Sequence, residues 1–407
     1  MTVEVTTTTA VGGAPARDAG EFRVASRVAG MSMSKTMAVS ALADQLRRAG
    51  VDVIDLGAGE PDFPTPENIR RAAEEAIETG HTKYTAAAGT PDLKRAISDR
   101  FAADFGARYE PAEVLAAAGA KQVIFNAIAT LIEQGDEVLV PKPYWVTFPE
   151  AVTFAEGRTV WVETEDQDFR LTAGAVERAL TPRSKLLLIN SPSNPSGLVV
   201  APEEFEKIVS LAVSRGLWVI SDECYCQFVY DPVQPFSATQ LPEALRRRVL
   251  VAGSLSKTYA MTGWRIGYAL GPREWIKAMT CVQSHSTSNP TSISQQAAIE
   301  ALTGPQDSVA QMLQAYSERR DWLIPALNNL PGVTCTTPQG AFYAFPSVKG
   351  TGLTSEELTT RLLEEAHVAV TPGDAFGAPG YLRLSYATSL EKLEAGVERI
   401  RGVLANL

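Results

Sequence analysis

Lys185-Leu186-Leu187-Leu188-Ile189 leads into the loop Asn190-Ser191-Pro192-Ser193-Asn194-Pro195-Ser196-Gly197. An amphipathic stretch from Pro202 to Arg215 follows, and then a second apolar run, Leu217-Trp218-Val219-Ile220-Ser221. A near-continuous apolar run has no face left for water, so both runs read as strands buried on two sides. The segment between them opens on a proline that suits a first helical position. Strand, crossover helix and strand form the repeating unit of a mostly parallel sheet covered on both faces.

The same alternation extends outward in both directions. Further buried strands are expected at Val114–Ala118, Glu137–Val140, Thr159–Val162, Val249–Ala252 and Arg265–Leu270, and an earlier one at Val51–Leu56. Thr65-Pro66-Glu67 and Thr90-Pro91-Asp92 are helix starts, with Gly80 and Gly106 as the stops. A helix is also expected over about Thr36–Arg48. After Leu330 the rhythm changes. Ala341–Phe345, Val368–Val370 and Tyr381–Ser385 read as strands, and Thr354–Glu365 and Leu390–Leu404 as helices. The fold class is therefore α/β, with a large sheet domain over 51–329 and a smaller α+β domain over 330–407. Residues 21–50 are expected to join the small domain, and 1–20 to be a disordered lead. Ser184–Ser196 and Cys281–Ser294 read as loops on a rigid scaffold, where sites often lie.

Composition removes several classes. The chain has 407 residues, a net charge of −10 and 21% charged residues, which argues against nucleic-acid binding. No apolar run approaches the roughly 18 residues that a membrane span needs. MTVEVTTTTA lacks a secretory pattern, and four cysteines are too few for a disulfide scaffold, so a cytoplasmic location is expected. Three scattered histidines argue against a histidine-rich metal enzyme. Cys224 and Cys226 lack the spacing of a redox or zinc pair and are expected to pack on one face of a strand, so no metal is expected. Gly57-Ala58-Gly59 starts a dinucleotide fingerprint, but Asp62 stands where its third glycine belongs. Gly253-Ser254-Leu255-Ser256-Lys257-Thr258 resembles a phosphate loop, but Ser256 precedes the lysine.

Four segments succeed where those fail. They are the 190–197 loop, Ser221-Asp222-Glu223-Cys224-Tyr225, Ser254-Leu255-Ser256-Lys257 and Thr262-Gly263-Trp264-Arg265-Ile266-Gly267. Each lies at or near the C-terminal end of an expected strand, the edge where open α/β sheets bind ligands. Asn194, Asp222, Tyr225, Lys257 and Arg265 can therefore converge. Pyridoxal 5′-phosphate requires such a set. A lysine bonds its aldehyde, an acid keeps its ring nitrogen protonated, and an arginine fork grips its phosphate. Taken singly, each residue has an ordinary reading as a surface charge, a cap, a turn or a core side chain. Glu223 is as acidic as Asp222. Their joint occurrence in this order decides against those readings.

From about Val28 to Leu404 the chain resembles the class I/II aminotransferases of fold type I, specifically the bacterial aspartate aminotransferases. Gly59-Glu60-Pro61-Asp62-Phe63, the run from Ser254 to Gly267 and Arg383-Leu384-Ser385-Tyr386-Ala387 carry the resemblance. It implies a seven-stranded type of sheet and a homodimer with shared active sites. It also implies roles. Lys257 would bond the cofactor and act as general base, and Asp222 would pair with the ring nitrogen. Tyr225 and Asn194 would bond the ring oxygen, and Trp145 would stack on the ring. Gly119, Ala120 and Lys121 would meet the phosphate at a helix N-terminus, completed by Ser254 and Arg265. Tyr84 would reach the phosphate of the neighbouring subunit. Arg383 would clamp the substrate α-carboxylate, with Asn194 and the main chain of Gly59.

The implied reaction moves an amino group from an L-amino acid to a 2-oxo acid. Lys121 in Gly119-Ala120-Lys121-Gln122 matches the subgroup's contact for a second carboxylate, which makes aspartate with 2-oxoglutarate the leading pair. Ser34 and Thr36 match an entrance loop that closes over substrate. Ser32 and Met33 depart from the more frequent Lys-Pro, so prephenate, an aromatic donor or a secondary metabolite stays open. A lyase or an oxidase on the same scaffold is the rival chemistry.

Overall fold

The computed structural model describes residues 22–31 and 35–407, so the expected lead over 1–20 lies outside the described residues. The strands are β1 (Ile54–Asp55), β2 (Val114–Ala117), β3 (Glu137–Pro141), β4 (Arg158–Val162), β5 (Ser184–Asn190) and β6 (Trp218–Asp222). They continue with β7 (Val249–Ser254), β8 (Gly267–Leu270), β9 (Tyr343–Ala344), β10 (Val368–Ala369), β11 (Thr371–Pro372) and β12 (Leu382–Ser385).

β2 to β8 form one seven-stranded sheet in the order β2-β8-β7-β6-β5-β3-β4. All its pairings are parallel except the two made by β8. β5 and β6 run in register from Leu186 opposite Trp218 to Asn190 opposite Asp222. The helix Pro202–Ser214 crosses between them and buries Phe205, Ile208, Val209 and Ala212, one stripe at helical spacing. Each large apolar side chain so buried contributes about 1.5–3 kcal/mol.

The continuous apolar runs have a direct cause. Leu187, Ile189, Val219 and Val251 pack into one core cluster, while Leu186, Leu188, Ile220 and Leu250 pack into another. Alternate residues of each strand therefore serve the two helix-covered faces. β4 lies to one side of β3, and β5, β6 and β7 to the other. The connections reverse at the crevice between β3 and β5, so that end of the sheet is the place for a ligand.

β11, β12 and β9 form a small antiparallel sheet. The expected strand Val51–Leu56 is shorter and elsewhere. Only Ile54–Asp55 pairs, and its partner is β10 in the C-terminal part rather than the large sheet. The Asp55 carboxylate accepts the N–H groups of Gly57 and Ala58, which ends the strand and starts the Gly57–Gly59 loop. The expected loop Cys281–Ser294 is helical at both ends, with a connection over 285–291 between them. Helix Arg273–Ser284 runs into it and helix Ser292–Thr303 starts within it. Trp275, Ile276, Met279 and Gln283 supply a buried stripe that outweighs the serine-rich composition. Cys224 and Cys226 lie in the turn after β6, not on a strand. No helix among the described residues is long and apolar enough to cross a membrane.

Candidate active site

A cavity of about 360 Å³ opens at the carboxyl ends of β3, β5, β6 and β7. Asp222 ends β6, and Ser254 ends β7. Lys257 follows Ser254 on the single helical turn Leu255–Thr258. Asn194 sits in the loop after β5, Trp145 in the loop after β3, and Arg383 on β12. All six line this cavity, as do Gly59, Tyr225 and Arg265, and Ala120 with Lys121.

One end of the site is built for an anion. Gly119 is the N-cap of helix Ala120–Leu131 and offers no side-chain cap, so the helix N-terminus is left for a ligand. Gly119 does not itself line the cavity. It has φ +89°, and a Cβ there would come within 2.7 Å of the Arg265 guanidinium. Arg265 donates from Nη1 to Thr262 O (2.8 Å) and from Nη2 to Ala118 O (3.2 Å). Ser254 Oγ accepts the Ser256 N–H and bonds Ser256 Oγ.

The centre holds a half-buried lysine beside a buried carboxyl group. Burial lowers the Lys257 pKa to about 8, and Nζ donates to Gly59 O. Burial raises Asp222 to about 6, and its Oδ1 accepts the Cys224 N–H at 3.2 Å. Glu223, equal to Asp222 as a sequence candidate, does not line the cavity. Its Oε1 accepts from Ser221 Oγ and from Ala238 N–H, both at 2.8 Å.

Arg383 supplies a second anion site. It is buried, with Nη1 on Asn194 Oδ1 (3.0 Å) and Nη2 on Gly57 O (2.7 Å). Its Nε has no partner among the described residues, which is the kind of orphaned donor that a carboxylate satisfies. Lys121 lies over the Trp145 ring at 5.2 Å, its pKa lowered by burial and by the Arg265 charge.

Among the described residues, one expected side chain lies outside this assembly. Tyr84 is 92% exposed and away from the cavity. Ser34 and the side chain of Thr36 fall outside the described residues. The sequence reading missed seven lining residues: Gly57, Ala58, Asn190, Cys224, Ser256, Thr262 and Tyr343. Asn190 joins β5 to the site, since Nδ2 donates to Asp222 O and Oδ1 accepts the Asn194 N–H. Tyr343 lies in an aromatic run that reads only as core.

A half-buried amine, a buried carboxyl group and two guanidinium sites in one cavity suit an amino-group transfer on anionic substrates. The chain belongs to the class I and II aminotransferases, whose family model matches residues 51–400. Members of that family use pyridoxal phosphate. Within the family the chain is aspartate aminotransferase-like. The aspartate aminotransferase of Geobacillus stearothermophilus is 47% identical over 385 residues, covering 93% of this chain and 98% of the relative. The aspartate/prephenate aminotransferase of Cereibacter sphaeroides is 45% identical over 92% of this chain and 96% of its own. The Thermus thermophilus aspartate aminotransferase solved with maleate superimposes with a TM-score of 0.90 at 42% identity, covering 94% of this chain and 100% of that one.

Proposed function

We propose that this chain binds pyridoxal 5′-phosphate and moves the amino group of L-aspartate to 2-oxoglutarate. The observation that carries the reading is Lys257, a half-buried amine with a pKa of about 8 in one cavity with Asp222, Arg265 and Arg383. The donor set fits the cofactor. The Gly119 cradle and Arg265 suit its phosphate, and the buried Asp222 carboxyl suits its ring nitrogen. When bound, the cofactor supplies an aldehyde that takes up the amino group and a cationic ring that draws electron density from the substrate Cα.

The residues of the chain do the rest. Arg265, Ser254 and the N–H groups of Ala120 and Lys121 hold the phosphate, while Gly119, whose own N–H is bonded to Ala117 O, gives the close backbone approach. Asp222 stays ionised opposite the ring nitrogen, because a cation there offsets its burial. Tyr225 and Asn194 bond the ring oxygen, and Trp145 stacks on the ring. Arg383, backed by Asn194 and the Gly59 main chain, clamps the α-carboxylate. Lys257 Nζ, half neutral near pH 8 and mainly neutral above it, takes the Cα proton and returns it on the other side of the transfer. Lys121 meets the distal carboxylate. 2-Oxoglutarate, also a dicarboxylate, meets the same cations in the return half. Tyr84 serves the phosphate of a second copy, in a homodimer with shared sites, which accords with its exposure here.

A panel of amino donors against 2-oxoglutarate tests this reading, with wild type and Lys121→Ala. The mutant is expected to lose aspartate at least tenfold more than aromatic or aliphatic donors. Equal losses, or a wild type indifferent to aspartate, would remove the specificity. Ammonia or peroxide release without need of a 2-oxo acid would point to the lyase or oxidase chemistry. Prephenate belongs in the same panel as an acceptor, since the Cereibacter relative carries that activity in its name.

A further inference from the structure

Tyr343 stands between two parts of the cavity. It lies on β9, which pairs antiparallel with β12, the strand of Arg383. The Arg383 guanidinium sits over its ring, 4.5 Å from the centroid. Its hydroxyl is 2.8 Å from the Tyr225 hydroxyl, and the two rings meet edge to face at 5.7 Å. The side chain is fully buried. A Cβ on Gly59 would approach the Tyr343 hydroxyl to 3.0 Å, so the bare backbone there keeps the phenol–phenol contact open. Gly59 O in turn accepts from Lys257 Nζ.

We propose that Tyr343 is a positioning residue that links the carboxylate clamp to the cofactor: its hydroxyl donates to Tyr225, and its ring supports the Arg383 guanidinium. The inference rests on the reading of the cavity as a pyridoxal phosphate site. The direction of the bond follows from proton count. Tyr225 has one hydroxyl proton, and where that proton goes to the cofactor ring oxygen, the Tyr343 hydroxyl, 2.8 Å away, is the donor between the two. Tyr225, receiving that bond, becomes a stronger donor to the cofactor ring oxygen. A ring oxygen better stabilised as an anion holds the proton at Lys257 Nζ less tightly. Tyr343 therefore lowers the pH at which that proton leaves.

Two substitutions separate the roles. Tyr343→Phe keeps the ring and removes the hydroxyl, while Tyr343→Leu removes both. The readouts are the pH midpoint of the visible absorbance of the cofactor-loaded enzyme and the dissociation constant of maleate. Tyr343→Phe is expected to raise the midpoint by about 0.5–1 pH unit, with maleate binding within about twofold of wild type. Tyr343→Leu is expected to raise the midpoint and also weaken maleate about fivefold or more, by loss of the cation–ring contact. A midpoint unmoved in Tyr343→Phe, or equal weakening of maleate by both variants, overturns the inference. Tyr343→Phe preserves shape, so the hydroxyl is tested even if the leucine variant fails to fold. A wild type that forms no visible band overturns the cofactor reading as well. A wild type that forms the band and transfers amino groups, with an unmoved Tyr343→Phe midpoint, overturns this inference alone.

Discussion

Asp222 and Glu223 are adjacent in the chain, yet only Asp222 lines the cavity, while the Glu223 carboxylate is bonded to Ser221 and Ala238. Strand β6 ends at Asp222, and the following turn carries Glu223 away into the core, where Oε2 finds no partner among the described residues. Two similar acids are thus given different work by one residue of register. Asp222→Asn is expected to lower kcat by on the order of 10²-fold or more, through loss of the charge facing the ring nitrogen. Glu223→Gln is expected to change kcat by less than about tenfold and to act on thermal stability instead. Steady-state kinetics and melting curves of the two variants check this; the reverse pattern would assign the ring nitrogen to Glu223.

The lowered pKa of Lys257 predicts how cofactor loading depends on pH. Only the neutral amine attacks an aldehyde. Lys257 is mainly protonated below its pKa of about 8 and mainly neutral above it. The rate of visible band formation after mixing cofactor-free protein with pyridoxal phosphate should therefore rise through pH 8 and level off above it. A rise that continues toward pH 10, the range of an exposed lysine, would show that burial does not tune this amine.

Gly119→Ala tests the phosphate end. The new Cβ meets the Arg265 guanidinium at 2.7 Å, on a backbone with φ +89° that side chains rarely adopt. The strain costs about 1–3 kcal/mol, and the displaced guanidinium loses its fork. Titration should show pyridoxal phosphate bound about tenfold or more weakly, with pyridoxal lacking the phosphate affected much less. Equal loss for both ligands would mean that the phosphate is held elsewhere.

Tyr84 gives a test of shared sites. Tyr84→Ala and Lys257→Ala are each expected to impair activity. In a hybrid dimer, one site collects both defects and the other collects neither. Random reassociation of equal amounts should restore roughly a quarter of wild-type sites. No gain on mixing would place Tyr84 within its own subunit's site or outside catalysis.

The legibility of this fold and site follows from where the information lies. β5, β6 and β7 were readable because burial on both faces forces unbroken apolar runs, as in Leu186–Ile189. Asp222, Lys257 and Arg265 were readable because a strand end fixes them against local markers. β1 was misplaced because two paired residues leave no periodicity, and the partner strand lies more than 300 residues away. The serine-rich stretch 281–294 hid two helix ends because composition speaks for loops while burial of Met279 and Gln283 decides. Tyr343 was invisible for the opposite reason. A tyrosine in Ala341-Phe342-Tyr343 reads as packing, and its bond to Tyr225 spans 118 positions of sequence.

The most direct test of the account is the visible spectrum of the wild-type protein loaded with pyridoxal phosphate, followed during addition of L-aspartate and then 2-oxoglutarate, beside Lys257→Ala. The account predicts a visible band that aspartate discharges and 2-oxoglutarate restores in the wild type. It predicts no such cycle in the Lys257 variant. A wild type that stays colourless with the cofactor, or a band that aspartate leaves unchanged, would contradict it.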